Sequence, residues 1–267
     1  MVIKLTDAAT YYKALPHQQR AFEYLQELLT ERELQHFAKL YRGEPKKTNP
    51  QVPAAPVAAM NGLRAEHPIT RKVLNRILAL GFKLEKGKAY IVGIEGVDTD
   101  LSINSDKLDL WNDVLCALYV QNDGVVRLIG PFLGTTEPGA YYTRNVLNSR
   151  GSARVLLDSY NKDIWVRGRH KSEPNCLIQT GAAITVSRDE NRDGKRSSME
   201  YEHSGFFGIN LHSTKSDTWR KDSIGRWAAG CAVFLRISDK NRVMAYLNRV
   251  ARNQSKFTYI LLDGSKL

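Results

Sequence analysis

Residues 205–234 read GFFGINLHSTKSDTWRKDSIGRWAAGCAVF, and this stretch carries the most information about the fold. An apolar segment ends at His212, a polar loop follows, and Gly230 and Cys231 open a second apolar segment. Short apolar runs bounded by polar and glycine-containing turns are typical of β-strands. We therefore predict two neighbouring strands whose ends bring His212 and Cys231 face to face across a short gap.

The sequence on both sides of this window has the same pattern of short apolar segments and polar turns. From Asp123 to the C-terminus, short segments rich in β-branched and aromatic residues alternate with Gly, Asn, Asp and Ser turns. Upstream, AYIVGIEGV reads as a buried strand, whereas ITRKVLNRILALGF, which stops at Gly81, and MAYLNRVARN have helical spacing. The sequence predicts an α+β protein with a mainly β domain over residues 63–267, whose core lies at about 110–265.

The N-terminal part of the chain has a different pattern. Between residues 18 and 42, apolar side chains recur at spacings of three and four, which predicts a helical region within residues 1–44. Four prolines then fall between positions 45 and 56, and prolines so close together favour an extended linker, here residues 45–62. Such a region is compatible with a targeting or partner-binding module and equally with a helix docked on the main domain.

Composition favours a globular protein, with 42% hydrophobic and 25% charged residues. The formal net charge of +11 favours encounter with polyanions, but no run of five like charges occurs, so we expect no specific nucleic-acid partner. The three cysteines are far apart with no CxxC pair, which excludes a zinc knuckle and a dense disulfide framework.

The chain has no segment apolar enough to span a bilayer, and its N-terminus lacks an apolar core of signal-peptide length. We therefore expect no transmembrane segment. The compartment stays open between the cytoplasm and release by another route, and the oligomeric state is not predicted.

A histidine and a cysteine at facing strand ends form a recognised catalytic arrangement. The imidazole of His212 takes the proton of the Cys231 thiol and leaves a nucleophilic sulfur. Gly230 removes side-chain bulk, so that a substrate carbonyl and backbone N–H groups can approach and form an oxyanion hole. This pattern alone is generic, because a free cysteine is commonly a small buried hydrophobe.

The window resembles the catalytic domain of the L,D-transpeptidases, the YkuD-like family, whose signature is a His followed after a loop by Ser/Thr-His-Gly-Cys. His212 matches the first His, and Gly230 and Cys231 match the final pair. Upstream, RLIGPFLGTTEPGAYYT at residues 127–143 resembles the family's early strand-turn segment. The resemblance covers roughly residues 110–265. It implies a mainly β sandwich that forms a thioester with peptidoglycan stem peptides and needs no cofactor and no metal.

Carried over residue by residue, the resemblance gives each matching position a role. Cys231 attacks the stem-peptide carbonyl, and His212 acts as general base and then as general acid. Ser213 orients the imidazole through its backbone carbonyl, while N–H groups at Cys231 and just before it, including Gly230, hold the oxyanion. Arg226 and Trp227 are candidates for contact with a substrate carboxylate or sugar, and a packing latch is the alternative.

Two alanines depart from the family pattern and leave the reaction open. Ala228 and Ala229 stand where the family has Ser/Thr and His. An amine acceptor makes the protein a transpeptidase, whereas water makes it an L,D-carboxypeptidase, an endopeptidase or a phage-type lytic peptidase. An inactive module that binds cell wall or polyanions is the alternative of another class.

Residues 189–200, DENRDGKRSSME, match the EF-hand calcium-loop pattern in full. The matching positions are Asp189, Asn191, Asp193, Gly194 and Glu200. A strand-like segment precedes the loop instead of a helix, an arginine stands where such loops pack an apolar residue, and several basic residues offset the acidic ones. A polar hairpin turn is the preferred interpretation. His170 and His203 could reach the site, but structural positions are preferred for both. Cys116, in an apolar run, and Cys176, in a turn-like stretch after EPN, are also assigned structural positions.

Overall fold

The computed structural model describes residues 62–197, 200–218 and 223–267, which all belong to one compact unit. The predicted helical region at residues 1–44, and all but the last residue of the predicted linker at 45–62, lie outside the described residues.

Eleven strands and three α-helices make up the described part of the chain. The helices are α1 (Pro68–Ala79), α2 (Ala140–Arg144) and α3 (Ile237–Val250), and a 3-10 turn (Gly264–Lys266) ends the chain. The strands are β1 (Ala89–Glu95), β2 (Asp113–Val120), β3 (Val126–Thr135), β4 (Ser152–Val155), β5 (Ser159–His170), β6 (Glu173–Gln179), β7 (Ile184–Asp189), β8 (Tyr201–Gly205), β9 (Leu211–Ser213), β10 (Ala232–Phe234) and β11 (Lys256–Asp263).

Eight of these strands close into a barrel in the order β1-β11-β5-β6-β9-β10-β3-β2. The pairs β1/β11 and β9/β10 are parallel and the other pairs are antiparallel. The remaining strands form a separate sheet in the order β4-β7-β8. The mainly β architecture is confirmed, and the closed barrel defines it further. The sandwich that the resemblance implies stays a prediction.

Two apolar clusters flank the buried strand β1, whose residues are all buried. Ala89 and Ile91 belong to one cluster, which includes Trp165 and the apolar face of α3, while Tyr90 and Val92 belong to the other, with the apolar face of α1. This alternation follows from the two-residue period of a strand, because successive side chains point to opposite faces. A strand covered on both faces reads as a continuous apolar run, as AYIVGIE does.

The predicted elements near α1 and β1 are confirmed. Pro68 stands at the first helical position of α1, where its missing N–H costs nothing, and Gly81 follows the helix end with a φ of +76°. The C-terminal helix is longer than predicted, because it begins at Ile237 rather than near Met244.

The sequence analysis did not predict two of the strands. Residues 113–120 form β2, and residues 173–179, predicted to be turn-like around Cys176, form β6. The turn interpretation of β6 was wrong because Pro174 lies next to the first residue of the strand, where a missing N–H is tolerated.

Candidate active site

The structure places His212 and Cys231 on adjacent parallel segments of the barrel, at β9 and just before β10. His212 lies opposite Val233, and Cys231 immediately precedes β10. The next residue, Ala232, donates its backbone N–H to the Asn210 carbonyl at 3.0 Å, which extends the pairing up to the cysteine. The predicted neighbouring strands are therefore present, and they run in parallel.

The Cys231 sulfur is held by backbone groups of the chain that leads into β9. It donates to the Gly208 carbonyl at 3.4 Å and accepts the Asn210 N–H at 3.4 Å. The residue is 9% exposed. Burial raises the pKa of the Cys231 thiol, and the Asn210 N–H and the positive charge of Lys171 offset this only in part. The Cys231 side chain is therefore a neutral thiol at pH 7.

The His212 ring is buried and has one defined hydrogen bond. Its Nδ1 lies 3.1 Å from the backbone oxygen of Ser213, and because a carbonyl only accepts, Nδ1 carries the proton. Nε2 has no hydrogen-bond partner among the described residues. Burial, followed by the neighbouring His170, lowers the pKa of His212 to about 4. The ring is thus neutral at pH 7, and the lone pair of Nε2 is available to accept a proton.

His170, at the end of β5, was assigned a structural position from the sequence, and the structure places it against His212. Its ring stacks on the His212 ring with centroids 4.1 Å apart and an interplanar angle of 6°. The Asn210 side-chain amide donates to His170 Nδ1 at 3.0 Å. Only the pairing of distant strands brings His170 here, so no local sequence signal marked it.

A buried ion pair supports the floor of the site. Glu173, on β6, lies 2.9 Å from the Lys240 ammonium and accepts hydrogen bonds from the Ser213 hydroxyl at 2.5 Å and the Ser213 N–H at 3.3 Å. Burial acts to raise the pKa of Glu173, but the hydrogen bonds from Ser213 and Lys240 outweigh burial and hold this pKa below its ordinary value. The carboxylate also lies 4.0 Å from His212 Nδ1. Its hydrogen bonds from Ser213 hold β9, the strand that carries the imidazole.

Gly230 is needed by the backbone around the cysteine. Its φ is +117°, a conformation that other residues rarely adopt, and an added Cβ would lie 2.6 Å from the Ala153 carbonyl of β4 and 3.2 Å from the Ile209 side chain. The close approach that requires glycine is therefore that of the small sheet to the barrel. This adds to the predicted role of Gly230 in admitting a substrate.

A cleft of about 170 Å³ opens beside the cysteine segment. It is lined on the apolar side by Ala153, Phe207, Ile209 and Ala229 and on the polar side by Arg188. Arg188 is 4% exposed; it donates to the Gly151 carbonyl at 3.4 Å and to His203 Nδ1 at 3.3 Å, and its Nε has no hydrogen-bond partner among the described residues. A buried cation with a free donor suits a negatively charged group of a ligand.

Arg226 and Trp227 show the contacts of a packing latch. The Arg226 guanidinium lies 3.9 Å from the centroid of the Tyr141 ring, and Trp227 packs against the apolar cluster that contains Ala228 and Cys231. Arg226 is exposed, so contact with a substrate stays a prediction.

A second group of titratable residues lies elsewhere in the barrel. Glu95, Asp106 and Glu137 have carboxylate oxygens within 4.8 Å of one another, and Asp113 is buried beside them. Burial and the charge of Glu95 raise the pKa of Asp113 to about 7 and that of Glu137 to about 8. Carboxylates so close form a candidate cation site, which the sequence analysis did not predict, although the Arg154 and Arg196 guanidinium groups already pair with them.

Searches with the chain find no matching family model, no similar curated protein and no similar solved structure. Among the described residues, no helix is long and apolar enough to cross a membrane.

Proposed function

We propose that this chain is a cysteine enzyme that forms a thioester with peptidoglycan stem peptides, in the manner of the L,D-transpeptidases. One observation carries the proposal: Cys231 immediately precedes β10, His212 lies on the adjacent parallel strand β9, and the hydrogen bond to Ser213 leaves Nε2 of the imidazole without a partner among the described residues. An imidazole with a fixed tautomer and a thiol on adjacent parallel segments supply a base and a nucleophile for covalent catalysis, and the sulfur must leave its hydrogen bond to Gly208 to reach the imidazole.

The acylation step follows from these groups. Nε2 of His212 takes the thiol proton while the Cys231 sulfur attacks the carbonyl carbon of the stem peptide. The resulting tetrahedral oxyanion collapses to a thioester, and the protonated imidazole delivers its proton to the departing amine. An amine or a water molecule then attacks the thioester and gives a proton to His212. The C–S bond breaks, and the protonated imidazole returns this proton to the Cys231 sulfur.

The shifted pKa values mean that any general-base activation starts from a neutral thiol and a neutral imidazole, and they oppose proton transfer from sulfur to nitrogen in the resting site. The pKa of Cys231 is raised and that of His212 is lowered, so the proton rests on sulfur until attack begins. In the resting state the thiol donates a hydrogen bond to the Gly208 carbonyl. The side chain must therefore rotate toward the imidazole before the proton is transferred. Catalytic hydrogen bonds often tighten only when substrate is bound.

The cleft supports a peptide substrate that carries a carboxylate. Stem peptides have free carboxylates, and Arg188 offers a buried guanidinium at the edge of the cleft. The apolar residues Ala229 and Ile209 line the part of the cleft next to the cysteine segment. Arg188 is therefore the residue that we propose binds a substrate carboxylate.

Hydrolysis is the second candidate reaction, and a specific observation favours it. Ala228 is buried in the apolar cluster and Ala229 lines the cleft, so neither position offers a polar group to an amine acceptor. Water needs no such binding site and can resolve the thioester without one.

An inactive wall-binding module is the competitor of another class. It is favoured by the absence of a hydrogen bond to His212 Nε2 from any described residue and by the net charge of +11. In such a module Cys231 forms no acyl adduct.

The test is mass spectrometry of purified peptidoglycan fragments incubated with the wild type, with Cys231→Ala and with Cys176→Ala. Cys176 is a buried thiol on β6 and serves as the matched control. We expect changed stem peptides and a covalent adduct with the wild type and Cys176→Ala, and neither with Cys231→Ala. If all three proteins leave the fragments unchanged and carry no adduct, the enzymatic proposal is wrong.

A further inference from the structure

A cavity of about 560 Å³ opens beside the carboxyl end of β1, and its wall carries both signs of charge. Its charged lining includes the carboxylates of Glu95, Asp106 and Glu137 and the guanidinium groups of Arg154 and Arg196. A cavity of this size admits a small organic molecule. The thioester chemistry proposed above uses none of these residues.

Arg154, on β4, has an open guanidinium edge. Side chains alternate along a strand, so Ala153 lines the cleft beside the cysteine segment while Arg154 lines this cavity on the opposite face. Arg154 is 1% exposed, and its Nη1 lies 3.5 Å from Glu137 Oε1. Its Nε and Nη2 have no hydrogen-bond partner among the described residues. Buried donors without a partner are costly, so this edge points to a missing acceptor.

The neighbouring Arg196 shows which acceptor fits such an edge. Its Nε and Nη2 bind the two oxygens of Glu95 at 2.6 Å each. A carboxylate accepts two parallel hydrogen bonds from these two donors of a guanidinium. The same edge of Arg154 therefore suits the carboxylate of a ligand.

The three carboxylates of the wall converge on one position. Glu95, Asp106 and Glu137 each contribute an oxygen, and these oxygens lie within 4.8 Å of one another. Two oxygens that accept from one tetrahedral ammonium at about 2.9 Å each lie about 4.7 Å apart. Asp106 is exposed, and its carboxylate forms no hydrogen bond or ion pair with any described residue. The spacing and the unpaired charge suit an ammonium group.

The other charges of the cavity favour an ammonium over a bare metal ion. Arg196 binds both oxygens of Glu95 and lies 3.6 Å from Glu137 Oε1, so two of the three carboxylates are already partly neutralised. Calcium requires six to eight oxygen ligands, whereas an ammonium requires only three acceptors. Lys107 and Lys195 add positive charge at exposed positions of the lining, which disfavours a bare cation more than a ligand that also carries a carboxylate.

We propose that this cavity binds an apolar α-amino acid in its zwitterionic form. The ligand carboxylate binds Nε and Nη2 of Arg154, and the ligand ammonium donates to Asp106 and Glu137. Because Nη1 of the same guanidinium lies 3.5 Å from Glu137, the two positions are a few ångströms apart, as are the two charged groups of an α-amino acid. Leu108 and Leu157 also line the cavity and provide contacts for an apolar side chain.

The test is isothermal titration calorimetry with leucine, used as the separate L and D enantiomers, and with two analogues that each lack one charge. Isocaproate lacks the ammonium of leucine, and isoamylamine lacks the carboxylate. We expect one leucine per chain with a Kd of about 1 mM or tighter. Each analogue should bind at least tenfold more weakly, because it leaves either Arg154 or Asp106 without its partner.

Two variants test the two halves of the site. Asp106→Asn removes the charge that the ammonium pairs with, and Arg154→Lys keeps the positive charge but removes the two parallel donors. Each should weaken leucine binding at least tenfold. Asp106 is exposed, so Asp106→Asn remains informative if Arg154→Lys does not fold.

Two control variants should bind leucine like the wild type. Asp100→Asn removes an exposed carboxylate from the same connection between β1 and β2, at a position outside the cavity lining. Cys231→Ala removes the thiol of the other site, so it separates this proposal from the thioester chemistry.

Three outcomes would overturn the proposal. The first is no binding of either enantiomer at about 10 mM leucine, well above the expected Kd. The second is leucine binding that Asp106→Asn leaves unchanged or that isocaproate equals. The third is a cavity that takes Ca²⁺ but not leucine, with calcium binding abolished by Asp106→Asn.

Discussion

At the scale of single residues, the site combines a thiol and an imidazole that both rest in their neutral forms. Burial raises the pKa of Cys231 and lowers the pKa of His212, because a low-dielectric environment disfavours each charged form. Backbone groups rather than side chains hold the sulfur. In the proposed reaction, attack by Cys231 therefore depends on proton transfer to His212, and the pH dependence of thiol alkylation reports the resting state of the sulfur.

The rate of alkylation of Cys231 by iodoacetamide should rise about tenfold per pH unit from pH 7 to above pH 9, because the thiolate fraction grows in that proportion below the thiol pKa. Mass spectrometry of labelled peptides at each pH measures the rate. Cys116 and Cys176, both 0% exposed, should label more slowly and serve as internal controls. A plateau near pH 7 would instead reveal a preformed thiolate–imidazolium pair.

Gly230→Ala should lower the free energy of unfolding by roughly 2–4 kcal/mol, because it combines a strained φ with a backbone contact at 2.6 Å. Urea denaturation measures the change. Gly81→Ala is the matched control, since Gly81 has a φ of +76° with nothing within 4 Å of an added Cβ. This control should cost only about 1 kcal/mol. Equal losses in the two variants would mean that the close approach of β4 contributes nothing.

At the scale of secondary-structure elements, the site depends on the joint between β6, β9 and α3. Glu173 from β6 binds Ser213 of β9 and Lys240 of α3, and all three residues are buried. A buried ion pair whose partners are also hydrogen-bonded contributes little net stability, yet loss of one partner leaves an uncompensated charge.

Glu173→Gln should lower the free energy of unfolding by about 3–5 kcal/mol, because it leaves the Lys240 ammonium buried without its counter-charge. Lys240→Met should destabilise the fold for the converse reason. The double variant should lose less than the sum of the two single losses, and chemical denaturation of the four proteins measures this coupling. Additive losses would show that the two side chains do not interact.

At the scale of the whole molecule, distant segments bring together buried carboxyl groups, among them Asp113 and Glu137, that hold protons near neutral pH. Burial and the charge of Glu95 raise the pKa of Glu137 from its ordinary value of 4.5 to about 8. Between these two values the folded state binds a proton that the unfolded chain has released. The contribution of this group to stability is therefore complete below pH 4.5 and is lost as the pH rises through 8.

In EDTA, the free energy of unfolding should fall by about 1–2 kcal/mol between pH 6.5 and pH 8, and the fall should be smaller in Glu137→Gln. Two other groups titrate in this window: Asp113, whose pKa is raised to about 7, adds to the fall, whereas His212, whose pKa is about 4 in the folded state and 6.5 in the unfolded chain, opposes it by less than about 0.5 kcal/mol. Denaturant unfolding at several pH values measures the slope. A wild-type slope that Glu137→Gln leaves unchanged would contradict the pKa assignment.

Local patterns in the sequence were sufficient to predict several elements of the fold. The helix that ends before Gly81, the strand at residues 89–95 and the apolar runs around His212 and Cys231 follow from periodicity and turn residues over a few positions. The calcium-loop pattern was also complete in the sequence, but among the described residues the acidic side chains whose oxygens converge are Glu95, Asp106 and Glu137 rather than those of the loop.

Features that depend on contacts between distant segments were decided only by the tertiary structure. The closure of the barrel, the stacking of His170 on His212 and the Glu173–Lys240 pair each join residues from different strands or helices. The pKa values of His212 and Glu137 have the same origin, because burial and neighbouring charges set them. A local pattern records the preferences of consecutive residues, whereas burial, charge proximity and strand order arise only when the whole chain folds.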